Sequence, residues 1–372
     1  MFLVIICFYL GGSLEFDHWN LMDLDILIFD MDGVLIDVSN SYRNTIQKTV
    51  DLYLGTCLSF KGKSKNLATK EDIALFKAAS GFNSDWDLTS GLLHYLLSLS
   101  KLPAFSKHPE FSSILESVSF LRSKSSHIPN ETDTLYEEKN VASFTKKVKA
   151  LGGGLKGVRK VLGSSWEGWL FQSGDLSRTN LIKRIFQEIY LGNQFSVFYR
   201  LPRLFYRGQG HYLQERLLIS GRILKTLRKR IRLGIASGRP RYEAELALKR
   251  FRLLPYFNSV VTLDECDEEE ARIFRSTGKR VRCSKPHPYS LLKVAEEIGI
   301  PNPRCGYLGD VADDMRAAQA AKKELQIFAI GFLGSPTKRK AIKESLIKTG
   351  ADLVIEHPRE LLQLINPSSR IL

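Results

Sequence analysis

The chain has 372 residues, 44% hydrophobic and 25% charged, with a formal net charge of +14. That balance fits a globular protein, and the length favours two packed units over one, because single cores stop growing near roughly 250–300 residues. The basic excess draws anions in general, phosphorylated metabolites among them, while five scattered cysteines without a C-x-x-C pair exclude a disulfide framework and point to a reducing compartment, the cytoplasm.

The chain opens with "MFLVIICFYL". This apolar run is shorter than the about 20 residues that cross a bilayer, and no Arg or Lys precedes Arg43. No stable membrane span is expected. Residues 1–21 form an N-terminal extension with three readings: a weak signal peptide, an interfacial anchor, or a stretch ahead of a start at Met22, which the strand pattern immediately after Met22 favours.

Residues 24–29, "LDILIF", read as a short buried strand. Asp30, Asp32 and Gly33 follow at its end. Residues 40–54 carry helical periodicity, with Ser39 or Asn40 as cap. From about 55 to 215 helical patches recur (71–79, 88–99, 111–123, 142–150, 178–190) between Gly-, Ser- and Pro-containing loops, and nothing alternates like a sheet. After 215 the rhythm changes. "ERLLISGRILKTLRKR" reads as a helix, "IRLGIAS" as a strand, and "PRYEAELALKRF" as a helix. "FNSVVTL" is then a strand, "YSLLKVAEEIGI" a helix, "CGYLGD" a strand, "DDMRAAQAAKKE" a helix, and "QIFAIGFL" and "ADLVIE" are strands before a closing helix, "PRELLQLI". Alternating strands and helices imply right-handed crossovers and a doubly wound, Rossmann-like parallel sheet.

In such α/β folds ligands bind beyond the carboxyl ends of the strands. Asp30, Asp32, Ser237, Gly238 and Asp310 all stand at predicted strand ends. Lys285 stands at a helix entry, and Asp313 and Asp314 begin a helix. One rim thus gathers carboxylates, a hydroxyl and an ammonium. Clustered carboxylates raise each other's pKa, and a divalent cation relieves the conflict. An all-oxygen site beside phosphate suits Mg²⁺. One aspartate can then attack phosphorus while another moves a proton.

"FDMDGVLID", "IASGRP", "SKPHP" and "LGDVADDM", in that order, resemble the four motifs of the haloacid dehalogenase-like superfamily. The resemblance covers about 22–40 and 215–335. It implies a catalytic core of 22–40 plus 216–372 and an α-helical cap of 41–215. It makes Asp30 the nucleophile that becomes an aspartyl phosphate and Asp32 the general acid/base. Ser237 becomes the phosphoryl-binding hydroxyl and Lys285 the charge-stabilising lysine. Gly238 offers its backbone beside Ser237, and Arg239 is either a contact to an anionic substrate or a solvated helix-start residue. Asp30, Asp310 and the backbone carbonyl of Asp32 become Mg²⁺ ligands. Asp314 is a supporting ligand and Asp313 its competitor. Dehalogenases of the superfamily lack an acid where Asp32 stands, and phosphonate-cleaving members carry a small residue there. An acid at this position implies hydrolysis of a small phosphorylated metabolite, with a phosphomutase of the β-phosphoglucomutase-like type as the alternative. "DVSNSYRNTI", "GFNSDWDLT", "FQEIYLG" and "SGRPRYEAELAL" resemble a subfamily IA branch.

Other features carry two readings. Asn83, Asp85, Trp86 and Asp87 are substrate-contacting cap residues or a helix start with a core Trp. Arg241 is an anion contact or a solvated helix start. His287 reads as a spacer between two prolines. Residues 264–284 form a connection longer than the usual one, a lid element or a surface insertion. The basic runs "LRKRIR", "KRFR" and "TKRK" read as solvated faces, since no nucleic-acid-binding signature accompanies them.

Overall fold

The computed structural model describes residues 24–62, 67–82, 84–129, 132–334 and 339–365. The expectations for residues 1–21, for Met22 and for Asn83 lie outside the described residues.

Six strands form one parallel sheet: β1 (Ile26–Phe29), β4 (Arg232–Ala236), β5 (Ser259–Val261), β6 (Arg304–Gly309), β7 (Gln326–Phe332) and β8 (Leu353–Ile355). Their order is β5-β4-β1-β6-β7-β8, so β1 lies between β4 and β6. The register pairs Phe29 with Ile235 on one side and with Leu308 on the other. Strands buried on both faces read as continuous apolar runs. Ile26 and Ile28 enter one apolar cluster, and Leu27 and Phe29 enter the cluster on the opposite face.

Helices cover both faces. α10 (Gly221–Arg228), α11 (Arg241–Arg250) and α16 (Glu360–Ile365) stand on the side of Leu27 and Phe29. α13 (Tyr289–Ile298), α14 (Ala312–Ala321) and α15 (Arg339–Lys348) stand on the other. α12 (Leu263–Thr277) fills the long connection after β5.

A second, two-stranded ribbon was not expected. β2 (Ile36–Asp37) pairs antiparallel with β3 (Arg216–Leu217). The segment 215–230, expected as one helix, therefore begins as a strand. Ser220 splits it, because its hydroxyl accepts from Ile223 N–H and starts α10 only there.

Between β2 and β3 the described chain is helical: α1 (Tyr42–Leu52), α2 (Lys70–Ala78), α3 (Asp85–Ser98), α4 (Ile114–Ser125), α5 (Thr132–Glu138), α6 (Val141–Ala150), α7 (Gly154–Leu162), α8 (Leu181–Leu191) and α9 (Asn193–Tyr199). Side-chain caps fix several starts: Ser84 for α3, Asn140 for α6 and Asn180 for α8. Ile46, Phe76, Leu92 and Phe186 on these helices, and Trp169 between α7 and α8, belong to one apolar cluster, against which Tyr242 and Leu246 of α11 also pack. The chain leaves and re-enters the sheet unit through the β2–β3 ribbon.

Candidate active site at the carboxyl edge of the sheet

β1, β4 and β6 are neighbours, so the residues that follow them meet. Asp30 continues β1, and its N–H donates to Leu308 O at 2.8 Å. Ser237 continues β4, its N–H bound to Val261 O at 2.9 Å. Asp310 follows β6. Carboxylate oxygens of Asp30, Asp310 and Asp314 lie within 4.8 Å of one another. Gly33 makes this approach possible. It has φ +79°, and a Cβ on it would stand 2.0 Å from Asp310 Oδ2. That left-handed residue turns the chain just after Asp32, where Gly33 N–H donates to Ile36 O at 2.8 Å.

Lys285 reaches the cluster from the crossover between β5 and β6, just ahead of α13. Its Nζ donates to Asp30 Oδ1 and to Asp314 Oδ1, each at 2.7 Å, and to Tyr307 Oη at 3.0 Å. Tyr307 Oη in turn donates to Asp314 Oδ1 at 2.7 Å. The other oxygen of Asp314 accepts from the N–H groups of Asp310 and Val311, both at 3.1 Å. Asp314 thus spends both oxygens on the protein. It braces Lys285 and the turn that presents Asp310. Asp30 Oδ2 and both oxygens of Asp310 accept no hydrogen bond among the described residues.

The charges are unbalanced. Burial pushes the Asp30 carboxyl up to about 7; Lys285 opposes this, while Asp314 and Asp32 add to it. Burial and then Asp314 and Asp30 hold Asp310 well above the usual carboxylate range. Burial alone would pull Lys285 down, but Asp30, Asp314 and Tyr307 outweigh it and hold the ammonium well above its ordinary value. One ammonium does not neutralise three carboxylates, two of them buried and the third half-buried. A hard divalent cation held by oxygen fits the donor set that Asp30 and Asp310 leave free.

Ser237 is buried, and its Oγ accepts from Arg239 N–H at 3.1 Å. A Cβ on Gly238 would meet no protein atom within 4 Å, so its backbone borders open space. Arg239 differs from expectation. Rather than facing a substrate it is buried, and its guanidinium is engaged by Asp32, Glu215 and Tyr190. Its reach exceeds the strand end, and two carboxylates lie within it, so the open rim is not where its charge settles. Asp313 stands apart from the cluster and pairs with Arg316 at 2.6 Å. Arg241 is committed to Glu265 and to Val260 O. His287 Nδ1 accepts from Tyr289 N–H at 3.2 Å, a local turn contact.

In the helical insertion, Ser84 caps α3, and Trp86 packs edge-on to Phe186 with ring centroids 6.1 Å apart. That matches the capping reading of this segment. Residues 263–277 are the helix α12, whose start is fixed by Thr262 N–H donating to Glu265.

Sequence reasoning missed Tyr307, Glu215 and Tyr190. Tyr307 carried a signal: a tyrosine inside an apolar strand needs a partner for its hydroxyl. Glu215 carried none.

A doubly wound parallel sheet with this carboxylate and ammonium cluster at its rim defines an α/β protein whose ligand site lies beyond the carboxyl ends of its strands. A sequence model of haloacid dehalogenase-like hydrolases matches residues 24–322, and the chain belongs to that family. The phosphoglycolate phosphatase of Escherichia coli (strain K12) is 29% identical over 125 residues, 32% of this chain and 44% of that protein. The phosphoglycolate phosphatase of Xylella fastidiosa is 32% identical over 77 residues, 21% of this chain and 31% of that protein. The chain thus matches less than half the length of these curated relatives. A crystal structure from the Northeast Structural Genomics Consortium shares the fold, with a TM-score of 0.57 at 21% identity over 92% of this chain and 98% of that one.

Proposed function

We propose that the protein is a Mg²⁺-dependent phosphatase that hydrolyses a phosphate monoester of a small metabolite through an aspartyl phosphate. The observation that carries this reading is the convergence of Asp30, Asp310 and Lys285 at one strand edge, with Asp30 Oδ2 left free. Asp30 attacks phosphorus, and the ester oxygen departs with a proton from Asp32. Asp32 then takes a proton from water as that water attacks the phosphorus. The bond to Asp30 breaks, and inorganic phosphate leaves. Ser237, the backbone of Gly238 and Lys285 hold the phosphoryl oxygens where charge accumulates. Asp30, Asp310 and the Asp32 backbone carbonyl would hold Mg²⁺, with Asp314 supporting them. The ion would neutralise the carboxylates and polarise the phosphoryl group.

Residues 41–215 act in this reading as the cap over the rim, and 22–40 with 216–372 as the catalytic core. Contact between Ser80 Oγ and Asp313 Oδ2 at 3.5 Å supports it, because it joins the α2–α3 loop to the start of α14. The cytoplasm suits the cysteines: Cys57, Cys266, Cys283 and Cys305 are all buried and unpaired. Among the described residues no helix is long and apolar enough to cross a membrane. The partner is a small phosphorylated metabolite rather than nucleic acid.

The experiment is a panel of phosphorylated metabolites assayed with purified protein in Mg²⁺. Release of inorganic phosphate that stops with excess EDTA and in Asp30→Asn supports a phosphatase. Return of the phosphoryl group to a new position on a hexose phosphate would replace it with a phosphomutase. Persistent turnover by Asp30→Asn would overturn the nucleophile.

A further inference from the structure

Asp32 Oδ1 accepts from Arg239 Nε at 2.7 Å and lies 2.6 Å from Arg239 Nη2. Its Oδ2 accepts no hydrogen bond among the described residues, and its side chain is 34% exposed. Arg239, which holds it, is 2% exposed. Behind Arg239, Nη2 meets Glu215 Oε1 at 3.0 Å, and Nη1 donates to Tyr190 Oη at 3.1 Å. Tyr190 Oη donates to the same Glu215 oxygen at 2.7 Å, Ser41 Oγ approaches it at 3.4 Å, and the Tyr42 ring lies 5.2 Å from the guanidinium.

The positions of these partners are informative. Ser41 and Tyr42 follow β2, where the chain departs from the sheet unit. Glu215 immediately precedes β3, where it returns. Tyr190 belongs to α8. A buried guanidinium is tolerated only when its charge and its donors are matched, and Glu215 with Asp32 supplies the match. The planar fork accepts few arrangements, so it fixes the orientation of whatever carboxylate it holds.

Resting on the acid/base role given to Asp32 above, we propose that Arg239 is a positioning residue. Anchored by Glu215 at the crossing between the helical insertion and the sheet, it grips Oδ1 of Asp32 and leaves Oδ2 as the oxygen that moves the proton. The clamp works in both proton states of Asp32, since Oδ1 accepts from Arg239 whether or not Oδ2 carries a proton. It also makes proton transfer depend on how the insertion is seated, because Glu215, Ser41 and Tyr190 must be in place for Arg239 to hold its pose.

The test compares phenyl phosphate with 4-nitrophenyl phosphate, in Mg²⁺, on the full chain. Phenolate is the poorer leaving group and needs the proton more. kcat/KM reports the steps through departure of that group. Arg239→Lys keeps the charge and removes the fork. It should lower kcat/KM for phenyl phosphate about hundredfold and for 4-nitrophenyl phosphate less than about tenfold, within the usual range of general acid catalysis. Glu215→Gln, nearly isosteric, should shift the same ratio in the same direction by a smaller factor. It carries the test if Arg239→Lys does not fold. Equal losses on both esters, or unchanged values, would overturn the positioning role. So would failure of both variants to fold, which would mark a purely structural ion pair. A wild-type protein that releases phosphate neither from these esters nor from any member of the metabolite panel would instead refute the phosphatase reading itself.

Discussion

Lys285 Nζ donates to Asp30 Oδ1 across 2.7 Å, joining two residues 255 positions apart in the chain. The contact ties the crossover after β5 to the end of β1. It places a fixed positive charge beside the oxygen opposite the one left free. Lys285→Met should lower kcat about hundredfold or more, the scale seen when a preorganised charge is removed from a transition state. Steady-state kinetics on an aryl phosphate check it, and near-normal turnover would refute it.

Tyr307 completes that arrangement from inside the sheet. Its hydroxyl accepts from Lys285 and donates to Asp314. Tyr307→Phe keeps the ring and removes the brace. It should lower kcat about tenfold with little change in KM, and cost about 1–2 kcal/mol of stability from the buried group left short of a partner. Kinetics and thermal unfolding on one preparation measure both.

Gly33→Ala should damage the cation site more than the fold. The new Cβ would fall on Asp310 Oδ2, and φ +79° is unfavourable for alanine. The backbone cost is about 1–2 kcal/mol. Displacement of Asp310 should raise the Mg²⁺ concentration for half-maximal activity at least about tenfold. A Mg²⁺ titration of wild type and variant reads this directly.

Glu243, on α11, is buried between Tyr42 Oη at 2.7 Å and Gln187 Nε2 at 2.8 Å. Burial is the main cause that raises its carboxyl from 4.5 to about 7; the hydrogen bonds from Tyr42 and Gln187 oppose the rise. The folded protein therefore binds this proton more tightly than the unfolded chain. Its favourable contribution is full below about 4.5 and is lost as pH rises through 7, up to about 3 kcal/mol. Glu243→Gln should flatten the fall in melting temperature between pH 5 and pH 8. An unchanged slope would show that Glu243 does not carry it.

The sheet and its rim were legible because buried parallel strands are written as apolar runs with their chemistry at the end. "LDILIF" before Asp30 and "CGYLG" before Asp310 are such runs. The two-residue strands β2 and β3 were not legible. Leu217, Leu218 and Ile219 merge with the apolar stripe of α10, and only the cap made by Ser220 separates them. α12 was hidden for the opposite reason: among its fifteen residues Cys266 alone is buried, so it has no apolar stripe. From the sequence, Arg239 reads as an anion contact or a solvated helix start, because its neighbours Ser237 and Gly238 stand at the rim. Its true partners, Asp32 and Glu215, lie 207 and 24 positions away.

The most direct measurement asks where the phosphoryl group is carried. Acid quench during turnover of a phosphate monoester, followed by borohydride, reduces an aspartyl phosphate to homoserine, which peptide mass spectrometry locates. Conversion at position 30 that requires Mg²⁺ and disappears in Asp30→Asn is the expected result. Turnover with the phosphoryl group on Ser237, or on no side chain at all, would contradict it.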